Sequence, residues 1–460
     1  MKSKGQMSQK ERFGYSAGVL IRAIPSVAVN SYLIYHMSEI MKLPPGLIGT
    51  LFLVAKITSA VVAPFVGFYS DRLDTRWGRK RPLFLFGSVP LAVTFFLLFV
   101  HPDFSGRTAA TVWAASILLM FNIFMVCVEI PYKALLPSLA KDYHERTLIF
   151  FYQIPFSLVE VLIAFVYLHL VLKHGSDFVS KVDLKSSIIY LGGFFSVALL
   201  IVIPAYISFR TTKEPLYREW GERENFISTL KSLKENKPFF NLIVGFFLVS
   251  CGYLIFNNYL PFFSRVFDDV EALNKYAPFV FFGTLFLGMF AWYFISKKIG
   301  KRGVCIVGIS IYGISLVLFY FADILGIYGI FGCMSLLGLG YSSVMVFTFS
   351  MLPDTVEYDC MISGVRRDGL YYGIWSLVAA FNVLFIKYLI AFLFKFIEYS
   401  PGFPSYGEPM KGIKLMMGPI SALLAFAGLY FFYRYSLTKE KYEEVLAKIE
   451  SRSLEGSSNT

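Results

Sequence analysis

Long apolar blocks alternate with short charged ones along the whole chain. "LFLFGSVPLAVTFFLLFV" (83–100) and "IIYLGGFFSVALLIVIPAYISF" (188–209) are two of these blocks. They repeat neither at period 2 nor at 3.6, so each is apolar on all faces. A bilayer core about 30 Å thick is crossed by roughly 20 such residues in a helix. About twelve segments meet that length: 13–37, 46–70, 82–101, 108–138, 147–172, 187–209, 239–264, 277–296, 303–325, 326–351, 369–394 and 412–435. In lipid an unpaired backbone group costs several kcal/mol, so each segment must satisfy its own hydrogen bonds as a helix. Pro25, Pro64, Pro90, Pro131 and Pro155 fall inside these segments and predict kinks rather than ends. The pattern predicts an all-α membrane protein with twelve transmembrane helices.

Composition agrees with the pattern. The 460 residues are 56% hydrophobic, 18% aromatic and 16% charged, where soluble domains carry about 25% charge. The net charge of +12 invites a nucleic-acid reading, but its distribution opposes one. With the N-terminus inside, roughly 29 of the 43 Lys and Arg fall in inside segments, about 10 outside and about 4 within spans. That bias sets orientation, with both termini cytoplasmic in a cell membrane, and no nucleic-acid module accompanies it. The five cysteines show no paired spacing and predict no disulfide framework. The N-terminus lacks a cleavable signal pattern, so the first span is expected to be retained.

The longest polar interruption, 210–238, follows the sixth span. It divides the chain into an N-terminal six-helix bundle (1–209), a cytoplasmic linker (210–238), a C-terminal six-helix bundle (239–435) and a cytoplasmic tail (436–460). Two parallel six-helix repeats are a transporter architecture. A basic loop, "KKIGKRG" (297–303), holds the place in the second half that 71–82 holds in the first.

The first of those loops, "GFYSDRLDTRWGRKRP" (67–82), packs seven charges between apolar runs. Gly67, Asp71, Arg72, Gly78, Arg79, Lys80, Arg81 and Pro82 resemble the signature loop between helices 2 and 3 of the major facilitator superfamily. The longer spacing here resembles the glycoside–pentoside–hexuronide:cation symporters, the group that contains melibiose permease. "LPPGLIGTLFLVAK" (43–56), "EIPYKALLPSL" (129–139), "LPDTVEYD" (352–359) and "GVRRDGLYYGIWS" (364–376) resemble further segments of that group. The resemblance implies the major facilitator fold and alternating access. It implies a gating role for Gly67, Asp71, Arg72, Gly78, Arg79 and Lys80, and for Asp354 and Arg366 in the second half. Asp71 would face the positive start of a helix.

The resemblance stops short of the family's sodium and sugar positions. The two acids of helix 2 in sodium-coupled relatives fall on Ser59 and Ala63, ahead of Pro64. The sugar-recognising acid of helix 1 falls on Ala23, the functional arginine of helix 5 on Gln153 and the helix-11 lysine on Ala380. The helix-4 acid persists as Glu129, and Lys56 keeps a basic character in helix 2. A sodium–melibiose site is therefore not expected.

An ionisable group inside a span costs several kcal/mol unless paired or hydrated, which makes it a candidate for function. Here these groups are Arg22, Lys56, Glu129, Lys133, Glu160 and Lys387. Glu129 and Lys133 are four apart and share a helix face. Lys387 lies late in its span and has a snorkelling alternative. The second half offers Asn257, Asn258, Tyr259, Tyr341, Tyr372 and Trp375. The expected substrate and coupling set is Glu129, Lys133, Arg22, Lys56, Gln153, Trp375, Tyr372 and Asn257.

The surplus of cations favours an anionic or zwitterionic solute, with a neutral sugar open through Gln153 and Trp375. Proton coupling at Glu129 is favoured over sodium. A lysolipid-type transporter, a uniporter and a non-transporting sensor of the same fold are the alternatives. No phosphate-binding glycine loop, zinc motif or nucleophile elbow marks an enzyme. The chain is expected to act as a monomer, without a cofactor.

Overall fold

A computed structural model describes residues 7–100, 106–140, 145–159, 162, 184–214, 225–263, 270–396 and 408–458. Among the described residues the regular structure is helical, with no strand. All twelve expected segments carry helix in their described parts. Eight helices among the described residues are long and apolar enough to cross a membrane. The segment expected at 147–172 is described only in part, so Glu160 lies outside the described residues.

Two apparent single helices are really pairs. Val270–Tyr320 breaks at Gly300, whose φ of 73° lies in the left-handed region that glycine adopts without strain. The break falls inside the basic loop 297–303. Near its start, Ala322–Ser363 breaks at Gly326, with φ 65°. The prolines lie inside helices and do not end them: Pro64 lies inside Pro45–Ser70, Pro90 inside Arg81–Leu97 and Pro131 inside Arg107–Ala134. Pro25 lies inside Leu20–Ala28, and the chain continues directly into a wide π turn at Val29–Leu33. Such turns often mark functional positions in helices.

The fold divides into two units. Met1–Tyr217 clusters with Arg367–Leu377, and Arg218–Arg366 clusters with Val378–Thr460. The Asp368–Phe396 helix is thus shared, its first turns belonging to the first unit.

The first unit packs Arg81–Leu97 against Arg107–Ala134 and Leu184–Thr211. Its core is aromatic: Phe84, Phe95, Phe99 and Phe194 are fully buried, and Phe99 stacks on Phe194 with ring centroids 3.7 Å apart. In the second unit the helices on either side of Gly326 and Gly300 lie close together. A Cβ on Gly340 would sit 2.6 Å from the Tyr312 backbone N, so only glycine permits that approach. The terminal helix Lys439–Ser458 packs on Ala322–Ser363 through buried Tyr442 and Val445, and Arg452 donates to Met361 O at 2.7 Å. Many large apolar side chains point outward, among them Phe279, Leu287, Phe294 and Phe392. A water-exposed surface would disfavour such residues in number; a lipid-facing one requires them.

Candidate functional site

The intramembrane charges of the first unit converge on one carboxylate. Glu129 lies on Arg107–Ala134 and is gripped one turn later by Lys133, with Nζ 2.6 Å from Oε1. Arg22, from Leu20–Ala28, places Nε 3.5 Å from the same oxygen. Lys56, on Pro45–Ser70, adds its positive field at Glu129. The carboxylate and both partners are partly exposed. One acid therefore faces three cations from three helices. The sequence spacing revealed the Glu129–Lys133 pair; the approach of Arg22 and Lys56 is tertiary.

Beside this cluster, Tyr132 stacks on Tyr15 with centroids 4.8 Å apart, and its hydroxyl donates to Tyr15 O. Gln153 hydrogen-bonds Tyr132, which places the helix-5 candidate next to the ion cluster. Ser59 donates to Lys56 O at 2.9 Å, and Ala63 is buried and offers no side-chain oxygen.

The remaining candidates are more dispersed. Tyr372 and Trp375 lie in the stretch that clusters with the first unit, and both are buried. In the second unit Asn257 is exposed, Asn258 donates to Leu254 O, Tyr259 is buried and Tyr341 stacks on Tyr253 at 4.1 Å. Lys387 is exposed, as a snorkelling side chain would be.

The expected gating residues form two buried networks. In the first unit Asp71 ends Pro45–Ser70 and accepts from Gly369 N at 2.8 Å and Leu370 N at 3.0 Å. Those N–H groups open the Asp368–Phe396 helix and have no partner within it. Asp71 thus caps another helix, where the helix dipole favours a negative charge. Lys80 is buried, pairs with Asp368 and lies 4.0 Å from Asp71. Gly67 permits this approach, because a Cβ there would collide with Gly369 O. Gly78, at φ 101°, turns the chain so that Lys80 N donates to Glu214 at 3.0 Å. Arg72 lies over the Phe68 ring at 4.0 Å, and Arg79 is half-buried. Burial pushes the Asp71 carboxyl up to about 7; Lys80 opposes the rise and Asp368 adds to it.

In the second unit Lys301 Nζ reaches Asp354 at 2.8 and 3.1 Å and Ser350 O at 3.0 Å. Arg366 forms a two-pronged pair with Glu357, at 3.0 and 3.3 Å. Sequence reasoning named Asp354 and Arg366 but not their partners, nor Asp368. A partial signal was available: a glycine stands shortly before a lysine in both basic loops, Gly78 before Lys80 and Gly300 before Lys301, and in the fold both glycines have positive φ and both lysines are buried. Asn382 was also missed; it donates to Phe247 O and accepts from the Cys251 thiol, tying two helices inside the second unit. Nothing in its local sequence distinguishes it from other polar residues in apolar runs.

Comparison with known proteins matches this architecture. The family model described as MFS/sugar transport protein matches residues 14–439. The isoprimeverose transporter of Lactiplantibacillus pentosus is 29% identical, over 83% of this chain and 78% of the relative. The glucuronide carrier protein homolog of Escherichia coli K12 is 24% identical over 97% of this chain and 96% of its own. The crystal structure of the E. coli fucose:proton symporter superposes with a TM-score of 0.64 at 13% identity, covering 93% of this chain and 98% of that one. The fold is therefore that of the major facilitator transporters, a multi-pass membrane architecture, and no part of the match points to an enzyme. With the match running through both halves, the chain belongs to the MFS/sugar transport protein family.

Proposed function

We propose that the protein moves a sugar-like or anionic small solute by alternating access, coupled to protons through Glu129. The Arg22–Glu129–Lys133 cluster carries this reading. Nearby cations favour the ionised carboxylate, so Glu129 takes up a proton only when Arg22 or Lys133 draws away, and a solute that engages those cations would link proton uptake to loading. The relatives' printed names, isoprimeverose transporter and glucuronide carrier homolog, support a glycoside-sized solute. Proteoliposome uptake of candidate glycosides with and without an imposed pH gradient tests it. Gradient-driven accumulation is expected, and equal final levels under both conditions overturn proton coupling. We place both termini on the cytoplasmic side of the cell membrane and take the monomer as the working unit.

Sodium should leave transport unchanged. A sodium ion needs several oxygen ligands and compensating negative charge, whereas Ser59 offers one neutral hydroxyl oxygen and Ala63 no side-chain oxygen. Uptake in choline medium should equal uptake in sodium medium. Saturable activation by sodium, lost in Ser59→Ala, would restore a sodium site.

Asp71 acts as a gate in this reading, because its partner helix is shared between the two units. Asp71→Asn is expected to slow transport while ligand affinity stays within a few-fold. The pH sign follows from the raised carboxyl. In water the group titrates near 3.9, in the capped contact at about 7. The contact therefore takes up a proton between those values: acidification from 7 toward 4 strengthens it, and above 7 that gain is gone. Asp71→Asn, which mimics the protonated group, should flatten the pH profile of the gating step. Loss of ligand binding in a folded Asp71→Asn protein contradicts a gating role.

A further inference from the structure

One arginine arrangement occurs twice, once in each unit. In the first, Arg81 opens the Arg81–Leu97 helix and donates to Phe209 O near the end of Leu184–Thr211, with its guanidinium 4.4 Å from the centre of the Phe209 ring. In the second, Arg302 follows the break at Gly300 and donates to Tyr433 O near the end of Ser421–Arg434, 5.3 Å from the centre of that ring. A second arginine directly follows each aromatic residue: Arg210 after Phe209 and Arg434 after Tyr433, both exposed.

The apolar surface beside the arginines is duplicated as well. Phe86 and Val93 stand five and twelve residues after Arg81, and Val307 and Ile314 stand at the same distances after Arg302. Tyr206 precedes Arg210 by four residues, as Tyr430 precedes Arg434. All six of these side chains are exposed. The two helices of each strip pack together, in the second unit through Gly313 and Phe426.

We propose that each unit carries a site for one acidic phospholipid, with the headgroup phosphate at the arginine pair and the acyl chains along the exposed apolar strip. Charge favours an anion: among the described residues Arg210, Arg302 and Arg434 form no ion pair. Basic pockets between membrane helices select acidic headgroups in this way. The Nε–H groups of Arg81 and Arg302 are buried without a hydrogen-bond partner, and an unsatisfied donor of this kind marks a place for an added acceptor. The apolar strip favours a lipid over a free phosphate, which would leave Phe86, Val93, Val307 and Ile314 uncovered. Exposed tyrosines beside the arginines suit the headgroup level, where amphipathic rings collect. The two sites differ in one respect. Glu214 acts on Arg81 in the first unit, so it opposes an anion there, and the second-unit site is the tighter.

The test is native mass spectrometry of the full-length protein in detergent, titrated with dioleoyl phosphatidylglycerol or dioleoyl phosphatidylcholine. Two phosphatidylglycerols should remain bound at concentrations where phosphatidylcholine does not. Arg434→Gln should weaken the tighter of the two by about fivefold and Arg210→Gln the other by a similar factor, as expected for one cation near a charged headgroup. Lysine at either position should keep most of the affinity. Neither side chain caps a helix end, so the variants should fold, and their melting checks this. Equal retention of the two lipids by the wild type overturns the proposal. So does a folded Arg210→Gln, Arg434→Gln double variant that holds phosphatidylglycerol as the wild type does, or one that loses both lipids equally.

Discussion

Glu129→Gln is expected to abolish accumulation of solute against its gradient and, if Glu129 carries the coupling proton, to leave counterflow exchange in place. The argument begins with the cost of charge in a span. Arg22, Lys56 and Lys133 approach one carboxylate, and an unpaired intramembrane charge costs several kcal/mol unless hydrated. Glutamine keeps the shape and one acceptor oxygen but cannot carry a proton across the cycle. Exchange needs only the loaded carrier to reorient, so it survives; net accumulation needs the proton to travel and be released. Glu129→Asp keeps the carboxyl with a shorter reach and should retain partial accumulation. The measurement is uptake against counterflow in the same proteoliposomes. Full-rate accumulation by Glu129→Gln would reduce Glu129 to a structural counter-ion, and coupling would then pass to Glu160 or give way to uniport.

Asp354→Asn should lower stability more than most single changes outside the substrate path. Asp354 and Lys301 are each about 1% exposed, and the lysine has Asp354 and Ser350 O as oxygen partners. Removing the carboxylate charge takes away the lysine's buried counter-ion and leaves Ser350 O as a neutral partner; breaking a buried pair in this way costs about 3–5 kcal/mol. Replacing both by apolar groups of similar volume avoids that penalty. Lys301→Met with Asp354→Leu should therefore regain most of the melting temperature lost in Asp354→Asn, as read by thermal unfolding in detergent. A melting curve for Asp354→Asn that matches the wild type would show that the ammonium finds water or another acceptor. The Arg366–Glu357 pair is built in the same way, so Glu357→Gln is a parallel case.

These two predictions depend on different kinds of information. Glu129 is legible in the sequence: an acid in an apolar run, with Lys133 four residues on, makes a pair on any helix. Lys301 is not legible in that way. It lies in a basic loop, where orientation alone explains a lysine, and only folding buries it against Asp354.

The sequence by itself determined the helices and their order. Runs of about 20 apolar residues leave the backbone no other way to satisfy its hydrogen bonds in lipid. It also determined the family, because glycine, acid and arginine spacings in the loops survive where the sites have changed. Tertiary structure decided which distant charges meet. Asp71 finds its donors nearly 300 residues away, at Gly369 and Leu370. Arg22 reaches Glu129 from another helix, and Asn30, Lys56 and Asn122 meet around one cavity from three segments. The physical reason is that hydropathy is a local, additive property of a chain, whereas ion pairing depends on helix rotation and packing. In lipid those are set by close contacts between small residues and aromatic cores, which no single segment contains.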